Sequence, residues 1–155
     1  MTFNSPYELE TYLRTRMKAA IEQAENVVHQ VIDKFLKQYY GEFSPAVYER
    51  TYQLLHSLVK SEIVPTNNGY ECHVYFDLNK IDYSFKMING HRYRNDTTKV
   101  GGKKGIVAMA MQGYTHGGYR AAQNTAIWTE SMKVLNRDKI QILRQCLEEN
   151  GIPIK

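Results

Sequence analysis

The stretch SPYELETYLRTRMKAAIEQAENVVHQVIDKFLKQYY, residues 5–40, decides how the rest of the chain is read. Ser5 followed by Pro6, with Glu8 three residues on, is a capping box with proline at the first helical position, so a helix start is specified there. Leu13, Met17, Ala20, Ile21, Ala24, Val27, Val28, Val31, Phe35 and Leu36 then recur at spacings of three and four and draw one apolar stripe. Gly41 supplies the stop. The prediction is a single helix of about 35 residues, roughly 50 Å long at a rise of about 1.5 Å per residue.

A globule of 155 residues has a radius of gyration of about 15 Å, so such a helix outruns its own domain. Its C-terminal half carries the bulky, wide part of the stripe and is expected to pack on the domain's own sheet. In the N-terminal half, Tyr7 to Ala24, the stripe is thinner and is interrupted by Arg14, Arg16 and Lys18. Tyr7, Leu13, Met17 and Ile21 are therefore candidates for contact with another subunit.

After the helix, Ser44 and Pro45 are suited to open a second short helix through Tyr48, Tyr52 and Leu55. Leu58 to Val64 has the residue types of a strand, and Pro65-Thr66-Asn67-Asn68-Gly69 is dense turn chemistry. Tyr70, Cys72, Val74 and Phe76 alternate with Glu71, His73 and Tyr75, the period of a half-buried strand. A hairpin is expected here, with a third strand through Ile81 and Tyr83 to Phe85.

Between Met87 and Gly105 the character shifts. His91, Arg92, Arg94, Lys99, Lys103 and Lys104 stand among glycines with one acid, Asp96, and the stretch reads as a long basic loop. Ile106 to Gln112 is expected to form a short helix ended by Gly113. Thr125 to Leu135 reads as a further helical segment, and Asn136 as the cap of a final helix with Ile140, Leu143 and Leu147 on its inner face. The whole is a single domain over residues 1–155: a long helix (1–40), a short helix with a hairpin or sheet (44–86), the basic insertion (87–105) and helices (106–155). The fold class is α+β, with the long N-terminal helix and C-terminal helices packed on a small antiparallel β-sheet.

Composition narrows function by exclusion. With 43% hydrophobic and 23% charged residues the chain is an ordinary globule, and no apolar run reaches the roughly 18 residues of a membrane span. The first dozen residues are polar and acidic, unlike a signal peptide. A net charge of +4 and a pI near 9.0 are mild for a protein built to hold nucleic acid. Twelve tyrosines against five phenylalanines suit surfaces that are half wet and half buried, such as interfaces.

Cys72 and Cys146 lie far apart and are expected to be reduced in a cytosolic setting. His29, His56, His73, His91 and His116 fall in no metal-ligand spacing, and no cofactor or metal is expected. His116 beside Gly117-Gly118, with Asp82 or Glu130 to orient it, is the best acid–base candidate, but no nucleophile motif accompanies it. Gly101-Gly102-Lys103-Lys104-Gly105 lacks phosphate-loop spacing. Arg92, Arg94, Lys99, Lys103 and Lys104 read first as a solvated connector, next as a protein contact, and last as a sequence-independent contact with DNA phosphates.

The order of elements resembles that of the tail-completion, or head-to-tail joining, proteins of long-tailed phages. The resemblance runs from the long helix through Tyr48 to Ser57, the strand Tyr70 to Phe76, Ile81-Asp82-Tyr83, a Gly-His-Gly region and a closing helix opened by Ile127-Trp128. That family places Thr-Gly-x-Leu-x-x-Ser before its first strand; here Thr51, Leu54 and Ser57 match, with Tyr52 in place of the glycine. The resemblance implies a virion structural protein without a catalytic site, assembled in the host bacterial cytoplasm. It also implies a ring of six subunits at the neck, between head connector and tail tube, with the basic residues facing acidic neighbours or DNA in the lumen. A small nucleic-acid-binding protein using residues 91–104 is the alternative.

Overall fold

The computed structural model describes residues 2–42, 52–81, 86–88, 91–93, 102–113 and 125–154. Helix α1, Pro6–Gly41, is unbroken over 36 residues, about 54 Å at the usual rise. At its start the Ser5 hydroxyl accepts from the Glu8 N–H at 3.2 Å. The return bond expected of a capping box is displaced by one residue, because the Glu8 carboxylate accepts from the Asn4 N–H at 2.8 Å.

Next in the described chain come α2, Gln53–Ser57, and four short strands, β1 (Leu58–Lys60), β2 (Val64–Thr66), β3 (Gly69–Glu71) and β4 (Val74–Phe76). β1 pairs antiparallel with β4, Leu58 opposite Phe76 and Lys60 opposite Val74. β2 pairs antiparallel with β3, Val64 opposite Glu71 and Thr66 opposite Gly69. The two ladders form one hairpin with a register step: residues 61–63 on one side face residues 72–73 on the other, the signature of a β-bulge. Ser61 bridges the step, its N–H donating to the His73 carbonyl at 2.8 Å and its hydroxyl accepting from the His73 N–H at 2.9 Å. The expected alternation survives, since Tyr70, Cys72, Val74 and Phe76 are half-buried while Glu71, His73 and Tyr75 are exposed.

Before the expected third strand, Leu78–Lys80 forms a 3₁₀ turn, capped by the Asp77 carboxylate, which accepts from the Asn79 N–H at 2.9 Å; Ile81, the one residue of that strand among the described residues, is not in a strand. Ile81 then enters the core, while Tyr83 and Phe85 lie outside the described residues. Ser44, Pro45 and Tyr48, expected in the second helix, lie outside them too.

The basic-loop reading of 87–105 is corrected at both ends. Strands β5 (Lys86–Ile88) and β6 (His91–Tyr93) pair antiparallel, Ile88 opposite His91; Asn89-Gly90 between them in sequence is a strong two-residue hairpin signal. Helix α3, Gly102–Met111, begins four residues earlier than Ile106. Lys103 explains the early start, because its ammonium donates to the Leu78 carbonyl at 3.0 Å and so ties the first turn of α3 to the 3₁₀ turn.

Helix α4, Ile127–Glu149, is continuous, where two helices divided at Asn136 were expected. Asn136 is exposed, so water satisfies its side chain and nothing stops the helix from running on along α1. Ile127 packs with Ile32 and Leu36 near one end of α1, and Cys146 with Ala20 and Ala24 towards the other, so the two helices are antiparallel. Small residues at the second contact allow close approach. Ile140 and Leu143 were expected on the inner face of α4 but are exposed; Ser131, Ile142, Cys146 and Leu147 are the residues turned inward. The helix ends in a Schellman motif: Ile152 N–H donates to the Leu147 carbonyl, Gly151 N–H to that of Glu148, both at 2.9 Å, with Gly151 at φ 79°.

The main core joins Ile32 and Leu36 of α1, Leu54 of α2, Leu58 of β1, Ile81, Ala110 of α3 and Ile127 of α4. Leu36 is fully buried, and cutting it to alanine would cost about 3 kcal/mol. The fold is thus mixed α+β and mostly helical, a long N-terminal and a C-terminal helix against a small antiparallel β region.

Candidate assembly surface

The apolar stripe of α1 divides at Ala20. From Ala20 onward the stripe meets the chain's own core: Ala20 and Ala24 are buried against α4, and Val28, Phe35 and Leu36 join the main core, while Ile21, Val27 and Val31 are half-buried. The division therefore falls nearer the N-terminus than the Ala24 boundary of the sequence reading. N-terminal to it, Tyr7 is 77% exposed, Leu13 38% and Met17 37%, with Leu9 similarly open. Ile21, the fourth contact candidate, is half-buried.

These side chains do not stand on a bare rod. Pro6, Leu9, Leu13 and Met17 form one wall of a groove of about 360 Å³, and the hairpin tip, Asn67 to Tyr70, forms the other. A Cβ at Gly69 would make ordinary contact with Met17, 3.8 Å from its sulfur. Glu10 and Arg14 also line the groove and pair at 2.8 Å; the hydrogen bond to Glu10 raises the Arg14 pKa further. Tyr7 is exposed but lies outside the lining. Leu9 was missed by the sequence reading, although it stands four residues before Leu13 and extends the same row.

The first turns of α1 are held from the side away from the hairpin. The Tyr12 hydroxyl donates to the Gly151 carbonyl at 3.4 Å, its ring packs on Phe3 with centroids 5.2 Å apart, and the Arg16 guanidinium lies 5.3 Å from the ring centroid. Asn150 donates to the Gln23 side-chain oxygen at 2.8 Å, while Gln23 donates to Glu149. The groove is therefore presented on a supported helix.

The five basic candidates are not brought together as a set. Lys103 is half-buried and engaged with Leu78; Lys104 is exposed on α3; Arg92 lies on β6; Arg94 and Lys99 lie outside the described residues.

One polar group inside the molecule gave no sequence signal. Glu25 is 4% exposed, and one of its carboxylate oxygens has no hydrogen-bond partner. Burial pushes the Cys72 thiol up, and the charge and hydrogen bonding of Glu25 push it the same way. A thiol so held is a poor nucleophile at neutral pH. Among the described residues no group of three histidine, cysteine or acidic side chains could hold a metal ion. His73 is exposed and lies 3.1 Å from Glu71. His116 and Asp82 lie outside the described residues, and Glu130 pairs with Lys133 at 2.7 Å. No described helix is long and apolar enough to cross a membrane.

A family model described as YomN matches residues 6–149. No curated protein and no solved structure matches the chain.

Proposed function

The chain belongs to the YomN family, a phage-derived family named after a Bacillus prophage gene, and from that premise we propose that it is a structural protein of a long-tailed phage virion. In this reading it is a tail-completion or neck protein, a homo-oligomeric ring of six subunits between the head connector and the tail tube, assembled in the host cytoplasm. The observation that carries the reading is the N-terminal half of α1, which offers Leu9, Leu13 and Met17 to solvent beside an apolar groove. A row of part-exposed apolar side chains lining a groove is suited to contact with another chain, and a ring of subunits would cover it.

Tyr52 adds support. It precedes α2 in the left-handed conformation, φ 54° and ψ 16°, at the position where the tail-completion pattern has glycine. Only glycine adopts that backbone freely. The exposed Lys104, with Arg92, Arg94 and Lys99, would face acidic neighbours in the ring or the DNA passing through it. Nothing catalytic is required of the chain.

The test is the mass of the purified protein in solution and its appearance by electron microscopy, alone and with phage tail proteins. A closed ring that caps tail tubes supports the reading. A protein that stays monomeric and never enters a virion contradicts it. A nucleic-acid-binding role through residues 91–104 would show instead as DNA affinity that falls steeply with salt.

A further inference from the structure

Trp128, the one tryptophan of the chain, is 53% exposed on α4. Met132, Asn136 and Ile140 follow it at intervals of four, so these residues stand one above another along the same side of the helix for about 18 Å. Ile140 is 67% exposed and Leu143, one turn on, 44%; Met132 is half-buried and Asn136 exposed. A single exposed apolar residue is ordinary, but a row at this spacing is the ridge that one helix offers another.

The charges beside the ridge are unequal. Between Trp128 and Arg144 the cations Lys133, Arg137, Lys139 and Arg144 are all exposed. The two acids of the same span are half-buried and engaged, Glu130 with Lys133 and Asp138 with Arg137, both at 2.7 Å. Lys139 and Arg144 have no carboxylate partner among the described residues. Lys139 precedes Ile140 and Arg144 follows Leu143, so the two free cations border the apolar end of the ridge itself. Glu148 and Glu149 come only after the last apolar residue of the ridge, and Glu149 accepts from Gln145 and Gln23.

These features select among occupants. A second copy of the same ridge would set Lys139 and Arg144 against their own counterparts, and like charges facing each other across an interface are unfavourable. A lipid surface would satisfy the cations, but a helix lying in a membrane needs a broad apolar face, and this row is narrow and broken by Asn136. A helix with its own apolar row and carboxylates on its flanks satisfies both parts of the ridge.

We propose that this face of α4 docks an acidic amphipathic helix of a different protein. Trp128, Ile140 and Leu143 are the apolar anchors, Lys139 and Arg144 take the partner's carboxylates, and Asn136 faces a polar side chain. The contact goes beyond the ring reading and needs neither the ring nor the groove on α1.

The probe is a pair of synthetic helical peptides that share one leucine row, the first flanked by glutamates and the second by lysines. Trp128 reports docking directly, because no other tryptophan contributes to the emission. The glutamate peptide is expected to shift that emission to the blue, saturably, and to bind about tenfold tighter than the lysine peptide. Ile140→Ser with Leu143→Ser should weaken the glutamate peptide about tenfold, and Lys139→Glu with Arg144→Glu should reverse the preference between the two peptides. All four positions are exposed, and circular dichroism with the thermal midpoint establishes that each variant is folded. No shift with the glutamate peptide, equal binding of both peptides, or binding untouched by Ile140→Ser with Leu143→Ser overturns the proposal. So does a shift produced by phosphatidylserine vesicles and not by the glutamate peptide, or a serine variant that loses self-assembly, which would make the ridge a contact between copies. The ring is read separately, from the sedimentation mass of the wild-type protein, and stands or falls on that measurement alone.

Discussion

Both carboxylate oxygens of Glu42 accept hydrogen bonds from Thr125, one from its backbone N–H and one from its hydroxyl, so the residue that ends α1 is tied to the segment that opens α4. At the opposite end of the pair, Tyr12 reaches the Gly151 carbonyl and Gln23 reaches Asn150. Two antiparallel helices are thus clasped at both ends by polar contacts while small residues close the space between them.

Burial pushes the Glu42 carboxyl up, but the Thr125 hydroxyl, its backbone N–H and Gln38 outweigh it and hold the group below its ordinary value of 4.5. A carboxyl lowered on folding adds stability above its unfolded pKa, and that stability is lost as pH falls through the lowered folded value. Because Glu42 is exposed, the effect is under about 1 kcal/mol. Thermal midpoints of Glu42→Gln should therefore fall less than those of the wild type between pH 7 and pH 3. Thr125→Val should cost about 1 kcal/mol at pH 7, a fall of about 2–4 °C in the midpoint.

Ala24 is buried where α1 meets α4. Ala24→Leu would force the helices apart, at a cost of about 2 kcal/mol, or about 4–8 °C in the thermal midpoint. Ala24→Gly should cost about 1 kcal/mol through helix propensity and about 1 kcal/mol more through the lost buried methyl.

Cys72 is predicted to alkylate slowly in the native protein at pH 7.5, because burial and the neighbouring Glu25 disfavour its thiolate. Glu25→Gln removes the charge and should speed alkylation several-fold, read by mass spectrometry of the labelled peptide. Equal rates in the two proteins would mean that Glu25 does not govern the thiol.

Tyr52 is held at φ 54° while its ring packs against Tyr40 with centroids 5.2 Å apart. Tyr52→Ala loses the ring contact and keeps the strained backbone; Tyr52→Gly loses the contact and relieves the strain. The glycine variant should be the more stable of the two by about 1 kcal/mol in denaturant unfolding.

Much of this was legible in the residues. Ser5-Pro6 and the stripe from Leu13 to Leu36 specified α1 because capping and a 3.6-residue period are local signals. The alternation from Tyr70 to Phe76 gave the strand its faces, even across the bulge at Ser61, which no local signal marks. Asn136 misled because its capping chemistry is local, whereas the continuity of α4 comes from packing along α1. Ile140 and Leu143 misled for a related reason: both fit an inner face by spacing, but α4 meets α1 through Cys146 and Ile142, and that choice is made by the partner helix. The groove had half a signal, the row Leu9, Leu13 and Met17; its other wall is the hairpin tip, fifty or more residues away along the chain.

The division of α1 at Ala20 is the centre of the account, and removing residues 1–11 tests it most directly. The cut takes away Pro6, Leu9 and Glu10 from the groove but spares Tyr12, Ala20 and Ala24, which serve the chain's own packing. Sedimentation mass and thermal midpoint should be measured on the truncated and full-length proteins side by side. The account predicts that the midpoint falls by no more than about 2–4 °C, a loss of about 1 kcal/mol, while the proposed assembly is lost. A truncated chain that is unfolded, or one that assembles as the full chain does, would contradict it.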